Sequence, residues 1–147
     1  HKLNASQKHA YEIICASIDS AISGISRTDP PDGPPRPILL HGVTGSGKTE
    51  VYFRVIEENL RLNTQTLILF PEVSLTSEFV KRVKNHFGLD PDVWHSKISS
   101  SQKKVSLDRI INGKAKIIVG ARSALFLPFK KLSSIITDNA KIVFFFI

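Results

Sequence analysis

Apolar positions along this chain form short continuous runs, and the runs are separated by segments with a helical repeat. Runs that read as strands are residues 38–40, 66–70, 93–95, 115–119 and 134–137. Apolar residues at spacings of three and four predict helices over about 6–22, 48–61, 75–86 and 101–112. This alternation indicates an α/β fold, with three layers (α/β/α) and a mainly parallel sheet. In such sheets, functional residues lie at the C-terminal ends of strands.

One segment interrupts the alternation. Five of the eight residues 30–37 are prolines, which excludes a helix or a central strand there. We therefore divide the chain into an N-terminal helix (1–27), a proline-rich loop (28–37), a core (38–138) and a tail (139–147). The apolar end of the tail, 142–147, is either a final buried strand or unrelated sequence.

Composition and the lengths of the apolar runs predict the subcellular location. Hydrophobic residues make up 41% and charged residues 22%, which is ordinary for a globular domain. No apolar run approaches the roughly 20 residues that span a bilayer, and the N-terminus lacks a signal peptide. We expect a cytoplasmic protein without a membrane partner. The single cysteine, Cys15, is expected to be a buried thiol.

The net charge is +7, and the basic excess falls in the second half of the chain. Such a balance favours a polyanionic partner, of which nucleic acid is the obvious one. The alternative is a set of solvated helix faces. Charge alone leaves both interpretations open.

A phosphate-binding motif carries the clearest chemistry. G-x-x-x-x-G-K-[ST] is matched at every position by Gly42, Val43, Thr44, Gly45, Ser46, Gly47, Lys48 and Thr49. Backbone amides of the glycine-rich turn and the following helix N-terminus cradle phosphates. Lys48 neutralises the β- and γ-phosphates, and the Thr49 hydroxyl ligates magnesium. The motif joins a predicted strand to a predicted helix, so we expect a purine nucleoside triphosphate here rather than an empty turn. Glu50, which directly follows Thr49, is predicted to belong to the same nucleotide-binding segment.

Residues 40–52, LHGVTGSGKTEVY, resemble the first ATPase motif of the PriA (primosomal protein N′) family of bacterial replication-restart helicases, in helicase superfamily 2. Four further segments are similar to that family in the same order along the chain: 3–7, 69–76, 95–96 and 117–129. The similarity runs from Leu3 to about Asp138. It implies a RecA-like P-loop NTPase lobe, the first ATPase lobe of such a helicase.

The resemblance also implies roles for individual residues. The family is an ATP-dependent 3′–5′ DNA helicase that uses ATP and Mg²⁺ and acts on forked or single-stranded DNA with other replication-restart proteins. Gln7 lies in the segment that reads adenine. Candidate contacts to the DNA backbone are Ser74, Thr76, Arg122 and Ser123. Their alternatives are helix caps for the first two and a loop-bracing arginine for Arg122.

The sequence departs from the family at the magnesium motif, Asp-Glu-Glu-His. Asp138 lies at the position of the first aspartate of this motif. Lys48 and Asp138 are the candidate catalytic residues, and Thr49 and Asp138 are the candidate magnesium ligands. Asn139 replaces the glutamate that activates water, a loss of about 10² to 10⁴ in rate. The resemblance also implies a second lobe that supplies an arginine worth roughly 10³ to 10⁵ in rate, and we do not expect residues 1–147 to include that lobe.

We therefore expect a lobe truncated within the magnesium motif, which binds nucleotide weakly and DNA electrostatically without unwinding it. The alternative is a non-catalytic nucleotide- and DNA-binding module without ATP turnover. A small P-loop kinase or transport ATPase is disfavoured, because lid arginines and acceptor-binding carboxylates are missing.

Overall fold

The computed structural model describes residues 2–22, 38–40, 47–71, 77–138 and 142–146. Of these, residues 14–22, 38–40, 48, 138 and 142–146 are described by their backbone only. The helices are α1 (Ala5–Ile22), α2 (Lys48–Arg61), α3 (Ser77–Phe87) and α4 (Ser100–Ile111), with a 3₁₀-helix at Arg122–Phe126. The strands are β1 (Ile38–Leu40), β2 (Gln65–Leu69), β3 (Asp92–Trp94), β4 (Ile117–Gly120), β5 (Leu132–Asp138) and β6 (Ile142–Phe146).

The described strands form one sheet in the order β1-β6-β5-β2-β4-β3. Four neighbours, β5, β2, β4 and β3, run parallel. β6 is antiparallel to both β5 and β1, so β1 points in the same direction as the parallel strands. The mainly parallel sheet predicted from the sequence is confirmed, and the apolar end of the tail is a strand of that sheet.

Helices cover both faces of the sheet. One core joins α2 and α3 to strand residues such as Ile68 and Ile136, with Ala10 and Tyr11 of α1 packed against it. The other core joins Ile110 of α4 and Ala124 to the opposite face of the same strands. Side chains alternate between faces along a strand, so β2 contributes Ile68 to one core and Leu67 to the other. The three-layer α/β/α fold is therefore confirmed.

A buried glutamine joins three segments at the N-terminal edge of the sheet. The Gln65 side chain is fully buried. Its amide nitrogen donates to the carbonyls of Ile110 and Ala115, at 3.1 and 2.9 Å. Its amide oxygen accepts from the Lys131 backbone N–H at 2.9 Å. The end of α4 and the start of β5 are thereby fixed to β2.

The proline-rich loop predicted at 28–37 lies outside the described residues, and the domain boundaries stay predictions. No helix in the part of the chain that the structure describes has the length and apolar character needed to cross a membrane.

Candidate nucleotide-binding site

β1, the strand before the phosphate motif, and β5, the strand that ends at Asp138, end at the same level of the sheet. Leu40, the last residue of β1, pairs with Ile142, and so does Asp138, the last residue of β5. The two ends are separated only by β6, which corresponds to about 10 Å at normal strand spacing. The chain that continues from β1 into the P-loop therefore leaves the sheet beside Asp138. Residues 42–46 of the motif themselves lie outside the described residues.

Helix α2 begins at Lys48, and Gly47 is its N-cap residue. Gly47 has a left-handed backbone, with φ 82° and ψ 23°. Glycine has no side chain to cap the first turn, whereas Ser99 caps α4 in a capping box with Gln102. The first-turn amides of α2 thus receive no side-chain acceptor from their own N-cap residue, and the Gly47 carbonyl accepts from the Glu50 N–H at 3.2 Å. A helix start without a side-chain cap suits binding to an anion.

Gln7 lies against the start of α2. Its side-chain amide nitrogen donates to the Gly47 carbonyl at 3.2 Å. The same side chain accepts from the Asn4 N–H at 2.9 Å, and the Asn4 side chain accepts from the Gln7 N–H at 2.9 Å. This reciprocal pair is a capping box for α1, and its Asn-x-x-Gln spacing is a signal that sequence reasoning missed. The structure brings the predicted adenine contact to the P-loop helix; adenine recognition itself stays a prediction.

Thr49 and Glu50 occupy the first turn of α2, and both are half-buried. A carboxylate oxygen of Glu50 accepts a hydrogen bond from the Arg82 guanidinium at 3.2 Å. Arg82 belongs to α3, which follows the segment that contains Ser74 and Thr76 in the sequence. Those two residues lie outside the described part of the chain. Glu50 therefore links the P-loop helix to the helix that follows the predicted DNA-facing loop.

The loop after β4 lies at the same edge of the sheet. The Ala121 N–H donates to the Trp94 carbonyl at 3.1 Å, and the chain then turns into the 3₁₀-helix. A Cβ on Gly120 would lie 2.7 Å from the Trp94 carbonyl and 2.8 Å from the Ala124 Cβ, so the close approach requires glycine. Arg122 and Ser123 are both exposed. β4 is two strands from β5, which places this loop about 10 Å along the edge from Asp138.

The structure thus places Gln7 against Gly47, at the start of the helix that carries Lys48, Thr49 and Glu50, and it places the backbone of Asp138 level with Leu40 at the sheet edge. Arg122 and Ser123 lie further along that edge, on the far side of β2. His95, in the segment similar to the family, is half-buried, and its ring Nδ1 accepts from the Lys97 N–H at 3.1 Å. Sequence reasoning missed the Arg82 link to Glu50, because residues 32 positions apart give no periodic signal.

Comparison with known proteins identifies the family. A family model described as DEAD/DEAH box helicase matches residues 15–144. The match continues past the predicted core (38–138) into the tail, and it ends within β6.

Curated relatives confirm the resemblance stated from the sequence. Replication restart protein PriA of Rickettsia typhi is 45% identical over 104 residues, which are 71% of this chain and 16% of that protein. PriA of Helicobacter pylori is 46% identical over 101 residues, 69% of this chain and 16% of that protein. PriA of Bacillus subtilis is 46% identical over 101 residues, 69% of this chain and 12% of that protein. The chain spans a small part of the length of these relatives.

Helicases in general use a nucleotide and a metal ion. With the α/β fold and the family match over residues 15–144, this chain belongs to the DEAD/DEAH box helicase family and is similar to one part of replication restart protein PriA.

Proposed function

We propose that this chain is the first ATP-binding lobe of a replication-restart DNA helicase, which binds ATP with Mg²⁺ at the edge formed by β1, β5 and α2. One observation carries the proposal. Leu40 and Asp138 flank Ile142 in register, so the P-loop and the acidic residue of the magnesium motif leave the sheet side by side. That arrangement supports a shared nucleotide site.

In this proposal the backbone binds the phosphates. Amides of Gly42, Val43, Thr44, Gly45 and Ser46, together with the first turn of α2, donate to phosphate oxygens. Lys48 at the start of α2 neutralises the β- and γ-phosphates. Gln7, held against Gly47, is close enough to this segment to recognise the adenine.

The same edge suits magnesium. Mg²⁺ prefers oxygen ligands and keeps several waters when it binds beside phosphates. The Thr49 hydroxyl and the Asp138 carboxylate are oxygen donors on the two elements that meet there, and we assign them to the ion, Asp138 through a water. The ion supplies charge neutralisation at the phosphates.

The DNA is proposed to follow the loops further along the edge. Arg122 and Ser123 are exposed after β4, where a guanidinium and a hydroxyl can reach backbone phosphates. Ser74 and Thr76, which precede α3 in the sequence, are proposed to extend the same track. The charge of +7 favours this polyanionic partner over a neutral one. A cytoplasmic location and contacts with other replication-restart proteins belong to the same proposal.

Nucleotide binding is tested with a fluorescent ATP analogue and Mg²⁺. We expect saturable binding that EDTA weakens and Lys48→Ala abolishes. Lys114→Ala is the matched control, because Lys114 precedes β4 at the opposite edge of the sheet and should leave binding unchanged. Equal loss of binding in both variants would show a general charge effect and contradict the P-loop assignment.

Turnover is tested separately, by steady-state ATP hydrolysis with and without single-stranded DNA. With Asn139 in place of the glutamate, we expect binding with little hydrolysis, and a gain in rate in Asn139→Glu. DNA-stimulated turnover in the unmodified chain that is lost in Lys48→Ala would contradict the expected loss from Asn139. Nothing in the comparisons favours the non-catalytic alternative.

A further inference from the structure

The 3₁₀-helix after β4 carries an aromatic ring that the fold leaves in solvent. Phe126 is 88% exposed, more than any other large apolar residue among the described side chains. Its neighbour Leu125 is 44% exposed. Because apolar stabilisation scales with the area removed from water, the exposed ring contributes little to the stability of this lobe.

The exposure does not come from a loose segment. Between Arg122 and Phe126 the chain is anchored by Ala124, which is fully buried and whose N–H donates to the Ala121 carbonyl at 3.0 Å. The Leu127 N–H then donates to the Ala124 carbonyl at 3.3 Å. Leu127 and Phe129 pack on the core beneath. The fold therefore holds the backbone on both sides of Phe126 and presents its ring outward.

The geometry of the 3₁₀-helix groups the exposed side chains. Residues three apart eclipse one another in such a helix, at about 6 Å along its axis. Ser123 therefore lies on the same side as Phe126, and Arg122 lies on the adjacent side with Leu125. A hydroxyl, a guanidinium and an aromatic ring share one exposed surface, which we call the Arg122–Phe126 surface.

The charge around this surface selects the kind of partner. Residues 117–129 contain no Asp or Glu and carry the exposed Arg122, and Lys97 is exposed in the segment after β3, at the same edge of the sheet. An apolar protein partner has no need of that imbalance, whereas a nucleic acid does. Proteins that bind single strands combine basic groups along the backbone with aromatic rings on which bases stack.

We propose that Phe126 stacks on an unpaired base of single-stranded DNA, while Arg122 and Ser123 hold the neighbouring phosphate. This inference rests on the proposed DNA-binding function and adds a base-contacting residue to it. Stacking on a π-face tolerates any base, so Phe126 contributes affinity for single strands without sequence preference.

The test is a titration of the whole chain with a fluorescent oligothymidylate and with an abasic strand of the same length, which has phosphates but no bases. Phe126→Ala should weaken oligothymidylate binding about tenfold and leave abasic binding unchanged. Phe126→Leu keeps an apolar side chain without a ring and should lose as much. Phe126→Trp should retain the affinity, and the control Leu125→Ala should bind like the unmodified chain.

Each other outcome overturns the inference in a recognisable way. Full affinity in Phe126→Leu, or equal losses on both strands in Phe126→Ala, would exclude stacking. Unchanged DNA binding in Phe126→Ala, with binding still reduced in Arg122→Ala, would reject the stacking and leave the phosphate contact in place. The ring would then be assigned to a protein contact. An unmodified chain that binds neither strand would reject the proposed DNA-binding function as well. Unfolding curves of the Phe126 variants should coincide with that of the unmodified chain, because the ring is exposed.

Discussion

At the scale of single residues, Gly47 is constrained in two ways. Its φ of 82° lies in the left-handed region, which costs other L-residues roughly 1 to 2 kcal/mol. A Cβ at this position would also lie 1.9 Å from the Gln7 amide nitrogen. The glycine of the phosphate motif therefore also leaves room for the Gln7 amide against the start of α2.

These two constraints can be separated by a double-mutant cycle. Gly47→Ala should destabilise the chain by the backbone strain plus about 1 kcal/mol for the hydrogen bonds of Gln7, whose amide must swing aside. In Gln7→Ala the amide is already absent, so adding Gly47→Ala should cost only the strain. Urea unfolding of the four proteins gives the coupling free energy.

Gly88→Ala is the control for the strain alone. Gly88 has φ 67°, and a Cβ added there would meet no heavy atom within 4 Å apart from its chain neighbours, so the cost should not depend on Gln7. Strict additivity of Gly47→Ala and Gln7→Ala would contradict the contact between α1 and the start of α2.

Glu58 provides a pH-dependent contribution. Hydrogen bonding to the Arg61 guanidinium lowers the pKa of the Glu58 carboxyl, and the charge of Arg61 acts in the same direction. A lowered folded-state pKa means stability that is present above the unfolded pKa, about 4.3, and lost as pH falls through the folded value. Glu58→Gln should therefore be less stable by about 0.5 kcal/mol at neutral pH and equal to the unmodified chain in strong acid. Thermal melts across that range measure the difference; a constant difference at every pH would contradict the assignment.

At the scale of elements, the Gln65 side chain is expected to be worth more than a surface contact. Gln65→Leu roughly keeps the volume but removes the acceptor of the Lys131 N–H and the donor to the Ile110 and Ala115 carbonyls, whose hydrogen bonds with Gln65 are buried. Buried polar groups left without partners cost about 1 to 3 kcal/mol each, so we expect a loss of about 3 kcal/mol in equilibrium unfolding. Gln102→Leu, at the exposed capping box of α4, should cost about 1 kcal/mol or less. Similar small losses in both variants would mean that the β5 start is held by other contacts.

Hydrophobic periodicity predicted most helices and strands, because the residues that each element buries recur at a fixed spacing. α2 was predicted at 48–61 and is Lys48–Arg61, since one face of this helix covers the sheet. The position of β6 was not predictable, because an apolar run of five residues indicates neither the direction of the strand nor which strands lie beside it in the sheet. The exposure of Phe126 was hidden for a similar reason: it lies within the apolar run 124–127, where one would expect burial.

At the scale of the whole molecule, the sheet edge separates two candidate functions. The P-loop strand β1 and the strand β4 are four positions apart in the sheet, which is about 19 Å. Nucleotide and DNA are therefore proposed to bind the same edge without competing for the same residues. β6, which no parallel pattern predicted, contributes to this distance.

Salt dependence tests the DNA half of this arrangement. Each phosphate neutralised on a single strand adds about −0.7 to the slope of log K against log salt, because bound counterions are released. We expect a clearly negative slope for the unmodified chain, and a slope less steep by about 0.7 in Arg122→Ala if Arg122 contacts one phosphate. Lys114→Ala removes the same charge at the opposite edge of the sheet and should leave the slope unchanged. If both variants change the slope equally, binding follows the net charge of +7 rather than a defined track, and the DNA-facing edge is wrong.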